Sequence, residues 1–284
     1  MSDPRPIGLL DSGVGGLSVL REVRRELPAE TLIYIADQAH LPYGIRPLAE
    51  IRALVAPLAE RLIVHCDCKL LIVACNAANT AALHSLRAMY PETPIVGMEV
   101  AVKPAAEQTQ TGVIGVITTQ ATAEGELLSA VVDRFARHVQ VLVAACPEFV
   151  TLAEDGAPDT PASRALIERT LAPLKAAGID QLVMGCTHFP FLMPLLRTSL
   201  GESVRIVDPA PAVARQTQRV LASLERLCDS DTPGRTHYST TGDPTRFAAL
   251  ITTLIGEPHP IVQATQTLSL SPYGSPISSP SNSG

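Results

Sequence analysis

"LLIVACNAANTAALHSLR", residues 70–87, joins an unbroken apolar run to a helical pattern, and Cys75 stands at the joint. "QLVMGCTHFPFLMPLL", residues 181–196, repeats the arrangement with Cys186. A short apolar run without polar alternation suits a strand covered on both faces, as in a parallel sheet. A helix that follows at once makes it a strand–helix unit. The same reading extends along the chain. "IGLLD" (7–11), "TLIYIAD" (31–37), "PIVGM" (94–98), "GVIGVIT" (112–118), "HVQVLVAAC" (138–146) and "SVRIVD" (203–208) join 70–75 and 181–186 as expected strands. Helical patterns cover Ser18–Leu27, Leu48–His65, Asn79–Met89, Ala123–Ala136 and Ala162–Ala177. Such alternation predicts an α/β fold with a parallel-rich sheet. Pro57, inside the second helical pattern, should kink or break it.

Composition bounds the function. A chain of 284 residues suffices for one large α/β unit or two ordinary domains, and 46% hydrophobic content supports a substantial core. With no Trp, that core must be mostly Ala, Leu, Val and Ile. A net charge of −6 argues against a nucleic-acid surface. "MSDPRPIGLLDSG" is not a basic segment followed by an apolar one, and no apolar run approaches a membrane span, so a cytoplasmic protein with no membrane partner is expected. In a reducing cytosol Cys66, Cys68, Cys75, Cys146, Cys186 and Cys228 are expected as thiols. The tail 271–284, rich in Ser, Pro and Gly, is expected to be disordered.

The chain carries a loose internal repeat. Ser12 follows one strand, with Cys75 63 residues later; Thr119 follows another, with Cys186 67 residues later. Ligands of open parallel sheets bind at the carboxyl ends of strands. Two such halves face to face would aim both cysteines into one cleft. Cys66, Cys68, Cys146 and Cys228 read as small core hydrophobes. "HCDC" (65–68) has no second pair of metal ligands to match it, so no metal site is expected. Cys75 and Cys186 differ: each precedes a polar residue at an expected helix start, where a thiol is acidified and anions are attracted.

Two opposed thiols suit one task. One removes a proton from carbon while the other delivers a proton to the opposite face, inverting the centre without a cofactor. Each thiol needs a neighbour that handles charge. Asp11 and His188 are candidates, with a helix N-cap as the lesser reading of Asp11 and a surface residue as that of His188. Backbone N–H groups of "DSGVGG" (11–16) and "CNAANT" (75–80) could hold a carboxylate, and the turn "LPYG" (41–44) offers a second anion contact.

"GLLDSGVGGLSVLREVRRELP", "YIADQAHLPYG", "IVACNAANTAAL", "VIGVITTQAT", "CPEFVTLAEDG", "MGCTHFPFL" and "YSTTGDPTRF", in that order over residues 7 to 270, resemble the motif set of glutamate racemases. These belong to the cofactor-independent aspartate/glutamate racemase superfamily. The resemblance implies interconversion of L- and D-glutamate for peptidoglycan, by an enzyme expected to be a homodimer. It implies two pseudo-symmetric α/β domains with the site between them: residues 1–97 plus 208–270, built from both chain ends, and an inserted 98–207. By the resemblance Cys75 faces the D-enantiomer and Cys186 the L-enantiomer, with Asp11 and His188 assisting. Ser12, Tyr43, Gly44, Asn76, Thr119 and Thr187 match positions at the substrate, and Glu154 a supporting one. Four positions depart from the pattern: Ala77 for a usual Thr, Gln38 for Thr, His40 for Arg and Thr118 for Gly.

Two other readings compete. "GLLDSGVGGLS" with Asp37 resembles a dinucleotide-binding turn and its ribose acid, but Ser18 replaces the third glycine and Asp11 would abut a pyrophosphate. A non-catalytic binding homologue draws on Ala77 and the altered loop. Aspartate or another amino acid is the alternative substrate.

Overall fold

The computed structural model describes residues 2–265. The expected disordered tail, 271–284, lies outside the described residues. In chain order the strands are β1 (Ile7–Asp11), β2 (Leu32–Ala36), β3 (Leu70–Val73), β4 (Ile95–Val96), β5 (Val113–Thr118), β6 (Gln140–Ala145), β7 (Gln181–Gly185), β8 (Arg205–Val207), β9 (Thr236–Thr240) and β10 (Val262–Ala264). The helices are α1 (Leu17–Glu26), α2 (Leu48–Glu60), α3 (Asn76–Met89), α4 (Val102–Gln108), α5 (Gln120–Ala123), α6 (Glu126–Phe135), α7 (Pro147–Glu154), α8 (Pro161–Ala176), α9 (Met193–Leu200), α10 (Ala210–Ser223) and α11 (Pro244–Ile255).

The strands form two wholly parallel sheets, ordered β10-β9-β2-β1-β3-β4 and β6-β5-β7-β8. The order 2-1-3-4 in the first recurs as 6-5-7-8 in the second. The internal repeat is therefore topological: β5 takes the place of β1 and β7 that of β3. In each half the chain reverses its winding direction between these two strands, which leaves a crevice at their carboxyl ends. Asp11 ends β1, Cys75 follows β3 by two residues, Thr118 ends β5 and Cys186 follows β7 directly.

Unalternated strands follow from two covered faces. Ile7, Leu9, Leu70 and Ile72 enter a core shared with α1, α10 and α11. Leu10, Leu71 and Val73 point the other way, into a core shared with α2 and α3. In the second sheet Leu182 and Met184 pack on the α7–α9 side and Val183 on the α4–α6 side. Successive side chains on a strand point to opposite faces, so both faces must be apolar. The chain passes between the sheets twice, after β4 and after β8.

Three local expectations need correction. Pro57, expected to kink or break its helix, does not break it: α2 runs through it, and a π-helical turn follows at Arg61–His65. One missing N–H is tolerated because Ile51, Val55, Leu58, Ala59 and Leu62 keep a continuous buried face. The helix expected over Ala123–Ala136 is divided at Gly125, where an added Cβ would meet Thr80 Cγ2 at 2.3 Å. The pattern starting at Asn79 begins at Asn76, because "NAAN" is buried without showing an apolar stripe.

Candidate active site

The carboxyl ends of both sheets meet over a cavity of about 20 Å3. Cys75, Cys186, His188, Ser12, Tyr43, Gly44, Asn76, Thr119 and Thr187 line it, together with Pro42, Ala77 and Val150. Asp11 and Glu154, both buried, stand behind this lining. The structure thus brings together all the residues named from the sequence. Pro42 and Val150 were not singled out, although both lie within motifs that were.

The two thiols have different surroundings. Cys75 occupies the N-cap position of α3, with Ser12 Oγ 3.8 Å from its sulfur and the Ala78 N–H directed toward it. Burial and the nearby Asp11 carboxylate nevertheless push the Cys75 thiol well above its ordinary range, against those two hydrogen bonds. The acidification expected from the helix start is outweighed there. Cys186 does not stand at an α-helix start at all. A 3-10 turn, Phe189–Leu192, follows it and α9 begins only at Met193, a segment interrupted by Pro190 and Pro194. Its charged neighbour is instead His188, with Nδ1 3.7 Å from the sulfur and Nε2 2.8 Å from Glu154 Oε1.

His188 is no surface residue: it is 2% exposed. Burial works against its charged form, but hydrogen bonds to Cys186 and Glu154 prevail and raise it well above the usual imidazole range. Glu154 is pushed up by burial and pulled further down by His188, by the Val14 N–H at 2.7 Å and by Gln38, so it is held ionised. Asp11 is not an N-cap of α1, whose N-cap is Gly16. Its Oδ1 accepts the Gly13 N–H at 2.6 Å and its Oδ2 the Thr187 hydroxyl at 3.0 Å. Full burial raises Asp11 to about 6, against the His188 charge and these hydrogen bonds.

The glycine-rich loop serves the protein's own carboxylates. Its Gly13 and Val14 N–H groups go to Asp11 and Glu154, so those two cannot hold a substrate carboxylate as the sequence suggested. An added Cβ on Gly13 would lie 2.0 Å from Glu154 Oε1, and one on Gly15 2.4 Å from Thr187 Oγ1. A pyrophosphate has no room there. Asp37, the would-be ribose acid, instead accepts the Tyr43 hydroxyl at 2.5 Å and the Thr241 hydroxyl at 2.7 Å.

What remains for a ligand is specific. Asn76 Oδ1 is buried and has no hydrogen-bond partner among the described residues, which suits a cationic donor. The first turn of α3 adds N–H groups that suit an anion. Tyr43 spends its hydroxyl on Asp37, leaving its ring and backbone to the cavity. Gly44 faces Thr119 from the other half so closely that a Cβ would lie 2.6 Å from Thr119 Cβ. Thr118, the departure from glycine, donates its hydroxyl to the Gly185 carbonyl at 2.8 Å, just before Cys186. Among the described residues no group of three or more His, Cys, Asp or Glu is placed to hold a metal ion, and no helix is long and apolar enough to cross a membrane.

Known proteins resemble this chain over most of its length. Residues 7–217 match the model of the Asp/Glu/hydantoin racemase family. A glutamate racemase of Roseiflexus sp. (strain RS-1) is 49% identical over 254 residues, 88% of this chain and 93% of the relative. The crystal structure of a Bacillus anthracis glutamate racemase superposes with a TM-score of 0.83 at 32% identity, covering 92% of this chain and 97% of that one. The Escherichia coli glutamate racemase, solved in complex with L-glutamate and an activator, gives 0.81 at 32% identity over 94% of this chain and all of the other, 100%. The chain belongs to the Asp/Glu/hydantoin racemase family.

Proposed function

We propose that this protein interconverts L- and D-glutamate by moving the α-proton between two thiols, and so supplies D-glutamate for peptidoglycan. The observation that carries the reading is that Cys75 and Cys186, from corresponding strands of two repeated sheets, line one cavity, each with its own acid–base neighbour. Glutamate is favoured over aspartate by relatives such as the Roseiflexus glutamate racemase, 49% identical.

With L-glutamate bound, the Cys186 sulfur, as thiolate beside the His188 imidazolium, takes the α-proton. The electron pair of the broken C–H bond stays on Cα, and the Cys75 thiol protonates the opposite face. Cys186 ends as thiol and Cys75 as thiolate, with Asp11 placed to manage the Cys75 proton. The reverse direction exchanges the roles. Asn76 Oδ1 is placed for the substrate ammonium and the start of α3 for a carboxylate.

A cavity of about 20 Å3 holds a water-sized group, not glutamate. The cavity must therefore widen to admit substrate, and separation of the two halves is the motion we infer. Over the described residues the division that goes with this motion is residues 2–97 plus 208–265 against 98–207. A homodimer in the cytoplasm completes the reading, and light scattering tests the assembly. The direct test of function is chiral chromatography of L-Glu, D-Glu, L-Asp and D-Asp after incubation with reductant and no added cofactor. Racemisation of glutamate alone is expected, and it should survive dialysis against a chelator. Conversion of aspartate instead, or activity only with added metal or pyridoxal phosphate, would contradict the reading.

A further inference from the structure

Gln38 joins a directed chain of hydrogen bonds that ends at Cys186 in the other half of the molecule. The Gly242 N–H donates to Thr240 Oγ1 at 3.0 Å, beside the end of β9. The Thr240 hydroxyl, having accepted there, donates to Gln38 Oε1 at 3.0 Å. That bond fixes the amide orientation, because a hydroxyl proton seeks the oxygen and not the NH2. Gln38 Nε2 is thereby turned toward Glu154 Oε2, 3.4 Å away. The other oxygen, Glu154 Oε1, receives both the Val14 N–H and His188 Nε2. His188 Nδ1 then faces the Cys186 sulfur. Gln38 and Val14 belong to the first sheet's half, whereas Glu154, His188 and Cys186 belong to the second. The Cys75 side receives one contact of this kind, the Thr187 hydroxyl on Asp11 Oδ2 at 3.0 Å, whereas its other partner, Ser12, lies on its own half.

We propose that Gln38 is a positioning residue for the Cys186 side of the reaction, acting through Glu154 and His188. The proposal rests on the two-thiol reading above. Gln38 touches neither the cavity nor the sulfur. It occupies the outer oxygen of Glu154, so that the inner one stays committed to His188. The contact crosses between the halves, so it is made only when they are closed. The Glu154 carboxylate that holds the imidazolium at Cys186 gains both Val14 and Gln38 on closure, whereas the Asp11 that serves Cys75 keeps its Gly13 N–H in either state and gains only the Thr187 hydroxyl.

Rates alone cannot place such a residue. L- and D-glutamate are equally stable, so kcat/KM is equal in both directions for any variant. Primary deuterium isotope effects can place it, because they report which proton transfer limits each direction. The experiment measures kcat/KM for glutamate deuterated at Cα, as each enantiomer, in wild type, Gln38→Leu, Gln38→Glu and Glu154→Gln, using the full chain. Gln38→Leu removes the donor at similar size, and Gln38→Glu keeps the shape but sets a second carboxylate against Glu154.

Activity is expected to fall about three- to tenfold in both Gln38 variants, as for the loss of one hydrogen bond of ordinary strength, the contact being a long one at 3.4 Å. The isotope effect should rise for L-glutamate and fall toward unity for D-glutamate. Glu154→Gln should move the two in the same sense and further. An unchanged ratio of the two isotope effects in both Gln38 variants, with or without slower turnover, would overturn the proposal and leave the two-thiol reading standing. A shift opposite to that of Glu154→Gln would overturn it as well, placing Gln38 on the Cys75 side. A wild type that racemises neither enantiomer would remove the two-thiol reading and this proposal together.

Discussion

The two halves of the site share a scaffold and differ in electrostatics. On the first half Cys75 caps α3, next to Ser12 and a carboxylate, Asp11, and its thiol is driven upward by burial and by that carboxylate. On the second half Cys186 precedes a 3-10 turn and faces an imidazole that Glu154 holds charged. Strand order repeats, so position repeats. Charge does not, because it is set by the few side chains behind each sulfur. The difference teaches that duplication of a fold delivers two thiols to one place, while the charge around each comes from residues outside the repeat. The first half holds a thiol that burial keeps protonated, and the second presents an imidazole with a raised pKa to its sulfur.

Removing either sulfur breaks the comparison most severely. Cys75→Ser and Cys186→Ser should each lower racemisation by about a thousandfold or more in both directions, since every turnover uses both groups and a hydroxyl is a far weaker acid and base. Polarimetry under saturating glutamate measures this. Wild-type-like activity in either variant would end the two-thiol account.

Removing the neighbours should cost less and separate the halves. Asp11→Asn and His188→Asn should each lower kcat/KM by about a hundredfold. Their pH profiles should differ. Asp11 lies at about 6, so below that pH it is protonated and cannot accept a proton, and activity should climb as pH rises through 6. Asp11→Asn should abolish that limb, and His188→Asn should retain it. A limb that persisted unchanged in Asp11→Asn would assign it elsewhere.

Gly13→Ala tests the seam between the halves. The new Cβ would displace Glu154, 2.0 Å away, and Leu41, whose Cδ1 is 2.3 Å away. Overpacking of this kind costs about 1–3 kcal/mol, so a lower Tm is expected together with about tenfold weaker activity. Calorimetry and the same assay measure both. Unaltered stability would show that the halves rest farther apart in solution.

The smallest effect is expected at Ala77, which lines the cavity where the family pattern has a Thr. Ala77→Thr should lower KM for glutamate by about two- to tenfold, the worth of one neutral hydrogen bond. A loss for glutamate with a gain for another amino acid would reassign the substrate.

Much of this was legible in the sequence for physical reasons. Buried parallel strands leave apolar runs, and all eight expected strands are present, some shorter: 94–98 contracts to Ile95–Val96 and 203–208 to Arg205–Val207. β9 and β10 were not expected. "THYST" buries only Tyr238 and Thr240, so it carries little hydrophobic signal. The strand-end cysteines were readable because a thiol followed by a polar residue is unusual for a core position. The hydrogen-bond network was not readable. Val14 to Glu154 spans 140 residues, and Asp11 to Thr187 spans 176. Nothing local marks such pairs. The glycines at 13 and 15 suggested a ligand loop because sequence cannot distinguish a bound phosphate from an inward-facing side chain of the same protein. The helix-start argument for thiol acidity failed at both cysteines: at Cys75 burial overrode it, and at Cys186 Pro190 and Pro194 accompany a 3-10 turn where the helix start was expected.

The central claim is that each sulfur serves one face of the substrate. Its most direct test is the deuterium content of each glutamate enantiomer, by chiral separation and mass spectrometry, after brief incubation of Cys75→Ser and Cys186→Ser in deuterium oxide. Cys75→Ser keeps Cys186 and should exchange the α-proton of L-glutamate in preference to that of D-glutamate; Cys186→Ser should show the reverse bias. Equal exchange of both enantiomers by both variants would mean that one base reaches both faces, and would contradict the account.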